Sequence, residues 1–71
     1  MEDVLLKLGS KIRYERLKRK MSQEKLAELA NLNMRTISIV ENGQNSVKFI
    51  TIYKIAEAFG LEINDLVNFK L

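Results

Sequence analysis

The chain has 71 residues, with 12 Lys and Arg against 9 Asp and Glu, and contains neither Cys nor His. That length fits one domain with a thin stability margin. Disulfides and the common Cys/His zinc sites are excluded, so the expected staple is a second subunit.

The net charge of +3 hides a polarity. Lys7, Lys11, Arg13, Arg16, Lys18, Arg19 and Lys20 are opposed only by Glu15 within their span, whereas from Glu41 onward acids outnumber bases. A basic half suits a polyanion such as nucleic acid, or is simply a solvated helix face. Pro is absent, Gly occurs three times, and no run alternates apolar with polar residues, so the fold class is all-α. The acidic start Met1-Glu2-Asp3 does not read as a signal peptide, and no run approaches the roughly 18 to 20 apolar residues of a membrane span. The expectation is a cytoplasmic protein with no membrane partner.

A first helix is predicted from about Glu2 to Arg19, with Leu5, Leu8, Ile12 and Leu17 on its apolar side. Its acids stand at the start and its bases at the end, as the helix dipole favours, and Gly9 is a mild internal cost. Ser22 caps a second helix whose stripe is Leu26, Leu29 and Ala30, with Ala27 alongside; it ends near Asn31, which tolerates a left-handed backbone. Asn33 caps a third helix, Met34 to about Asn42, with Ile37 and Val40 inward, Gly43 as its stop and Gln44-Asn45-Ser46 as a polar loop. A fourth helix runs from about Phe49 to Phe59, burying Ile52, Ile55, Ala56 and Phe59; Gly60 ends it and Leu61 packs back. A short fifth helix, about Ile63 to Val67, precedes an apolar tail with Phe69 and Leu71. The whole reads as a compact five-helix bundle, one domain over residues 1–71.

Only Asn31, Leu32 and Asn33 separate the second and third helices, which makes a tight helical corner over about residues 22–42. Two short helices joined in this way form a helix-turn-helix, whose second helix can enter a DNA major groove about 12 Å wide. At 100° per residue, with Ile37 inward, Val40 and Glu41 share its side, while Arg35, Ser38, Ile39 and Asn42 lie opposite and Met34 and Thr36 flank. Arg35 is the best base reader, matching guanine O6 and N7, unless it is a solvated surface charge. Ser38 can bond a base or a phosphate. Ile39 and Met34 can pack on thymine methyls, and Ile39 is otherwise a tolerated surface residue. Asn33 can cap the helix and touch a phosphate together.

The stretch Met21-Ser-Gln-Glu-Lys-Leu-Ala-Glu-Leu-Ala30, then Asn31-Leu-Asn33, Thr36-Ile-Ser38 and Glu41-Asn-Gly43, resembles the phage-repressor-like helix-turn-helix family of lambda repressor, Cro and XRE proteins. Tyr53-Lys-Ile-Ala-Glu-Ala-Phe-Gly60 with Leu66 is similar to that family's fourth and fifth helices, so the likeness runs from about Leu8 to Val67. The resemblance implies five helices, double-stranded operator DNA as partner, and a homodimer. It implies that Gln23, at the start of the second helix, holds a phosphate, as a helix N-terminus favours; otherwise Ser22 and Gln23 only start the helix. It implies that Gln44, Asn45 and Lys48 touch the backbone. Glu41, an acid on an inner face, needs a partner, and the resemblance names Arg16, which would otherwise reach a phosphate. Relatives often carry Gly at Lys20 and Asn31, Pro-Ser near Val47 and Lys48, a Ser or Asp cap near Glu62, and an apolar residue at Glu15.

The ending is unusually apolar. Leu61, Ile63, Val67, Phe69 and Leu71 are expected to form a dimer surface, over about residues 61–71, unless Phe69 and Leu71 fold back on their own subunit. A two-fold dimer would set its recognition helices about 34 Å apart, on an inverted repeat. No enzyme, cofactor or metal site is expected, since Ser10, Ser22, Ser38 and Ser46 have no evident base and no glycine loop could cradle a phosphate. A repressor-like transcription regulator is the leading function. Restriction-modification controllers share this compact format, and an antitoxin-like protein-interaction module, its protein partner unspecified, is the alternative.

Overall fold

The computed structural model describes residues 4–68, and Glu2, Asp3, Phe69 and Leu71 lie outside the described residues. Five helices follow one another: α1 (Val4–Lys18), α2 (Gln23–Ala30), α3 (Met34–Glu41), α4 (Phe49–Phe59) and α5 (Ile63–Val67). Among the described residues there is no strand. No helix among the described residues is long and apolar enough to cross a membrane.

Each helix sends one large aliphatic residue to full burial: Ile12, Leu26, Ile37, Ile55 and Leu66. Around these five pack Leu8, Ala27, Ala30, Val40, Ala56 and Phe59. The arrangement explains why even the five residues of α5 hold their place. Exposing a side chain the size of Leu66 would forfeit roughly 2 to 3 kcal/mol of burial.

Helices α1 to α4 all end in the same way. The residue after the last turn takes a left-handed backbone, with φ of 58° at Lys20, 59° at Asn31, 64° at Gly43 and 74° at Gly60. The next amide then reaches back to a carbonyl five residues earlier: Met21 to Arg16, Leu32 to Ala27, Gln44 to Ile39 and Leu61 to Ala56. This is the Schellman arrangement, which satisfies carbonyls that a helix end would otherwise strand. Met21, Leu32 and Leu61 also pack onto the core, so each of these three turns is pinned by an apolar side chain. Lys20 and Asn31 thus take a backbone that glycine adopts without strain, Lys20 at a cost of about 1 kcal/mol for its β-carbon. At α5, Asp65 Oδ2 accepts from the Glu62 amide at 3.0 Å, the reach-back half of a capping box.

Some expected inward positions face out. Leu17 is 54% and Leu29 is 47% exposed. In α1 the buried stripe continues through Glu15 and Arg16, and Leu17 lies about 140° from Ile12. In α2 the stripe is centred on Leu26, Ala27 and Ala30, which leaves Leu29 about 105° off centre. Ile52 is only half-buried. Gly9 is more than a mild cost. A β-carbon there would lie 2.5 Å from the Glu41 carbonyl oxygen and 2.6 Å from that of Val40, so α1 crosses the end of α3 backbone to backbone.

Candidate nucleic-acid interface

The corner between α2 and α3 is built from local hydrogen bonds. Ser22 Oγ accepts from the Lys25 amide at 2.9 Å and starts α2. Asn31 and Leu32 close α2 as described, and Asn33 takes an extended backbone and starts α3. Asn33 Oδ1 accepts twice from Thr36, from its amide at 2.9 Å and from its Oγ1 at 3.0 Å. The acceptor of the Asn33 amide is therefore occupied, and what remains for an outside partner is its N–H pair. A side chain so held can donate to a phosphate or to an acceptor edge of a base.

One side of α3 is anchored. Ile37 and Val40 are buried in the core, and Glu41 beside them is 8% exposed. Arg16 reaches across from α1 and grips that carboxylate in a fork, with Nε on Oε2 at 2.6 Å and Nη2 on Oε1 at 3.0 Å. Its remaining nitrogen, Nη1, donates to the Met21 carbonyl at 2.8 Å. The hydrogen bonds to Glu41 push the Arg16 guanidinium above its ordinary value, against the opposing effect of burial. Gln23 joins the same carboxylate, its Nε2 donating to Oε1 at 3.0 Å. This half-buried glutamine ties the start of α2 to the end of α3, a contact that its position in the sequence did not disclose.

The other side of α3 is open. Arg35 and Asn42 are exposed, Met34 is 52% exposed, and Ser38 and Ile39 are half-buried. Among the described residues Arg35 has no ion-pair partner. Glu41 is the only acid in α3 and points inward, so the open face carries no carboxylate. Ile39 is not a plain outward residue. With Thr36 it forms one wall of a hollow of about 300 Å³, and Asn45, Lys48 and Thr51 form the other. The α3–α4 loop thus lies beside the recognition helix, with Gln44, Asn45 and Lys48 exposed, although Gln44 does not line the hollow.

The basic stretch of α1 is less available than its charge suggests. Glu15, 5% exposed, is surrounded by Lys11 at 3.0 Å, Arg19 at 2.6 Å and Lys18 at 3.6 Å. Burial alone would raise its pKa, but hydrogen bonds from Arg19 and Lys11 and the charges of Lys11 and Lys18 outweigh that and hold it below the ordinary glutamate value. Arg13 and Lys20 remain exposed. The signal for this cluster was present in the spacing, since Lys11, Lys18 and Arg19 stand four, three and four residues from Glu15.

A profile of the helix-turn-helix family matches residues 12–66. The chain belongs to the helix-turn-helix family of DNA-binding regulators. The chain is 41% identical over 68 residues to the control protein C.BamHI of Bacillus amyloliquefaciens, covering 94% of this chain and 84% of that protein. It is 32% identical over 59 residues to a helix-turn-helix-type transcriptional regulator of Methanocaldococcus jannaschii, covering 83% of this chain and 89% of that one. Among solved structures it superposes on the restriction-modification controller protein C.AhdI from Aeromonas hydrophila with a TM-score of 0.84 and 37% identity, over 87% of this chain and 94% of that chain.

The apolar residues expected to pair subunits divide between two hollows. Leu61 and Ile63, half-buried, share one with Phe49 and Tyr53. Val67, 39% exposed, lines a different one with Val4, Leu5, Leu8, Val47 and Ile52. Phe49 is 68%, Ile50 52% and Tyr53 46% exposed. These three, on α4, were not among the expected interface residues. Phe49 and Tyr53 add exposed apolar surface beside Leu61 and Ile63.

Proposed function

We propose that this helix-turn-helix regulator is a cytoplasmic homodimer that recognises an inverted repeat in double-stranded DNA, in the manner of a restriction-modification controller. The observation that carries the reading is the disposition of α3. Its one acid is turned inward and held by Arg16 and Gln23, while the opposite face presents Arg35, Ser38 and Asn42 beside Met34 and Ile39. Such a face is rich in donors and methyl contacts. It suits guanine O6 and N7 through Arg35 and thymine methyls through Met34 and Ile39.

Asn33, Gln44, Asn45 and Lys48 are assigned to the phosphate backbone, Asn33 as a donor only. Gln23 is assigned a phosphate as well, through the second hydrogen of its Nε2, which Glu41 does not use. The α4 surface of Phe49 and Tyr53, with Leu61 and Ile63, is assigned to the second subunit. The controller reading draws on the control and controller proteins among the relatives. An antitoxin-like module would instead use that apolar surface for a different protein. No catalytic role is assigned.

Selection of bound fragments from random duplex DNA at several salt concentrations tests the reading. The expected product is an inverted repeat with half-sites about 34 Å apart, and a log–log salt slope of roughly 0.9 per phosphate contact. Arg35→Ala is expected to relax preference at one base pair by about 1 to 3 kcal/mol. Weak binding with no preferred sequence would overturn the regulator reading, and uniform loss across sequences would make Arg35 a phosphate contact.

A further inference from the structure

The side chains that start the helices are not engaged alike. Ser22 Oγ accepts one bond, from the Lys25 amide, and starts α2. Glu62 and Asp65 share the start of α5 as a capping box. At α3 a single side-chain oxygen takes two bonds: Asn33 Oδ1 accepts from the Thr36 amide at 2.9 Å and from Thr36 Oγ1 at 3.0 Å. The backbone N–H settles which way the Asn33 amide is turned, because an Nδ2 in that place would set donor against donor. An amide oxygen has two lone-pair sites, and Thr36 fills both. Thr36 also stands where a capping box would hold a Glu or Gln to accept from the cap's own backbone amide. A threonine hydroxyl in a helix commonly turns to the carbonyl three or four residues back. This one donates instead to the side-chain oxygen of the cap.

Asparagine reads adenine with both halves of its amide: the oxygen accepts from N6 while the nitrogen donates to N7. Asn33 is exposed at the start of the recognition helix, the part of such a helix that meets base edges. Its oxygen is nevertheless engaged within the protein, which leaves the Nδ2 hydrogens for an outside partner. We propose that Thr36 is a positioning residue for specificity: its hydroxyl holds Asn33 as a donor, which suits a phosphate oxygen, and keeps it from reading adenine. This rests on the reading that α3 enters the major groove. The hydroxyl is the decisive group. The bond from the Thr36 backbone amide persists whatever side chain stands there, and it occupies one lone-pair site of Asn33 Oδ1. The hydroxyl occupies the second, the one that adenine N6 would need. Starting the helix does not require that second bond, since the Ser22 cap of α2 works with one.

The test is selection from random duplex DNA with the wild type, Thr36→Val, Thr36→Ser, Asn33→Ser, and Thr36→Val combined with Asn33→Ser, each checked for folding by circular dichroism and thermal denaturation. Valine keeps the branched shape and removes the hydroxyl, whereas serine keeps the hydroxyl. Thr36→Val should gain a preference of about fivefold or more for adenine at one position of each half-site where the wild type shows none. Thr36→Ser should select as the wild type does. The double variant should lose the new preference, because a serine cap has no amide to pair with adenine. Asn33→Ser alone should weaken binding to all sequences by a similar factor, about threefold, as loss of a phosphate contact does. If Thr36→Val does not fold, Thr36→Ala, which also lacks the hydroxyl, takes its place. A folded, DNA-binding variant without the hydroxyl that selects the wild-type sequence overturns the role of Thr36 alone. So does an adenine preference already present in the wild type that Asn33→Ser removes. A wild type that selects no sequence overturns the reading of α3 as a base-reading helix, and the role of Thr36 with it.

Discussion

Glu41 and Glu15 are both buried carboxylates, yet they are held by different means and should respond differently to change. Glu41 is gripped by a nearly buried guanidinium in a two-point fork and by an amide, so removing Arg16 strands a charge on the inner face of α3. Arg16→Met is expected to cost about 3 to 5 kcal/mol in chemical denaturation, and the double variant Arg16→Met with Glu41→Leu should recover much of it. A double variant no better than the single one would mean that the geometry of the fork, and not the stranded charge, dominates. Glu15 is held by three bases, of which Lys18 is exposed and Lys11 and Arg19 are half-buried. Its pKa is lowered in the folded chain, so its contribution is complete above the unfolded value of about 4.3 and is lost as pH falls through the lower folded value. Stability measured by denaturant titration should therefore fall as pH drops below about 4, and Glu15→Gln should flatten that part of the profile. An unchanged slope in the variant would assign the acid sensitivity to other carboxylates.

Among the elements, α1 crosses the end of α3 backbone to backbone, and Gly9 permits it. Gly9→Ala would press a methyl group into two backbone carbonyls of the recognition helix, and backbone cannot yield as a flexible side chain does. An expected loss of about 1 to 3 kcal/mol should come with weakened DNA binding, because the same movement loosens Glu41 from Arg16. Gly60→Ala meets no atom within 4 Å and should cost only about 1 kcal/mol for its left-handed backbone, with DNA binding unchanged. Equal losses in thermal denaturation would show that the crossing has room to relax. Gly9 illustrates what sequence conveys and what it does not. The five helices were legible because caps and apolar periods agree at Ser22, Asn33, Asn31, Gly43 and Gly60. The face that each helix buries was less so. Leu29 fits an i, i+3 stripe as well as Ala27 fits its neighbour, and only tertiary packing chooses between them. The separation between α1 and α3, which makes Gly9 necessary, has no period at all. The outer face of α3 could be laid out from 100° steps, yet the link from Gln23 to Glu41 could not, because it joins two helices whose relative placement sequence spacing does not specify.

At the scale of the whole molecule, a chain of 71 residues has a small core, and α4 carries apolar surface outside it. Helical periodicity places Ile55, Ala56 and Phe59 inside but does not say whether the remaining face meets water or another chain. The structure leaves Phe49 and Tyr53 exposed next to Leu61 and Ile63. If that surface joins two subunits, folding and association are linked, and the melting temperature must depend on protein concentration. Each tenfold dilution should remove about 1.4 kcal/mol of apparent stability per dimer, a shift of a few degrees. Tyr53→Glu should abolish the dependence and sediment as a monomer, because a carboxylate would have to be buried without a partner. Val67→Glu, on the other hollow, should leave association intact. A wild-type melting temperature that stays constant over a hundredfold range of concentration would remove α4 as the subunit contact. Loss of association in Val67→Glu but not in Tyr53→Glu would move that contact to the side of the molecule where α1 and α5 meet.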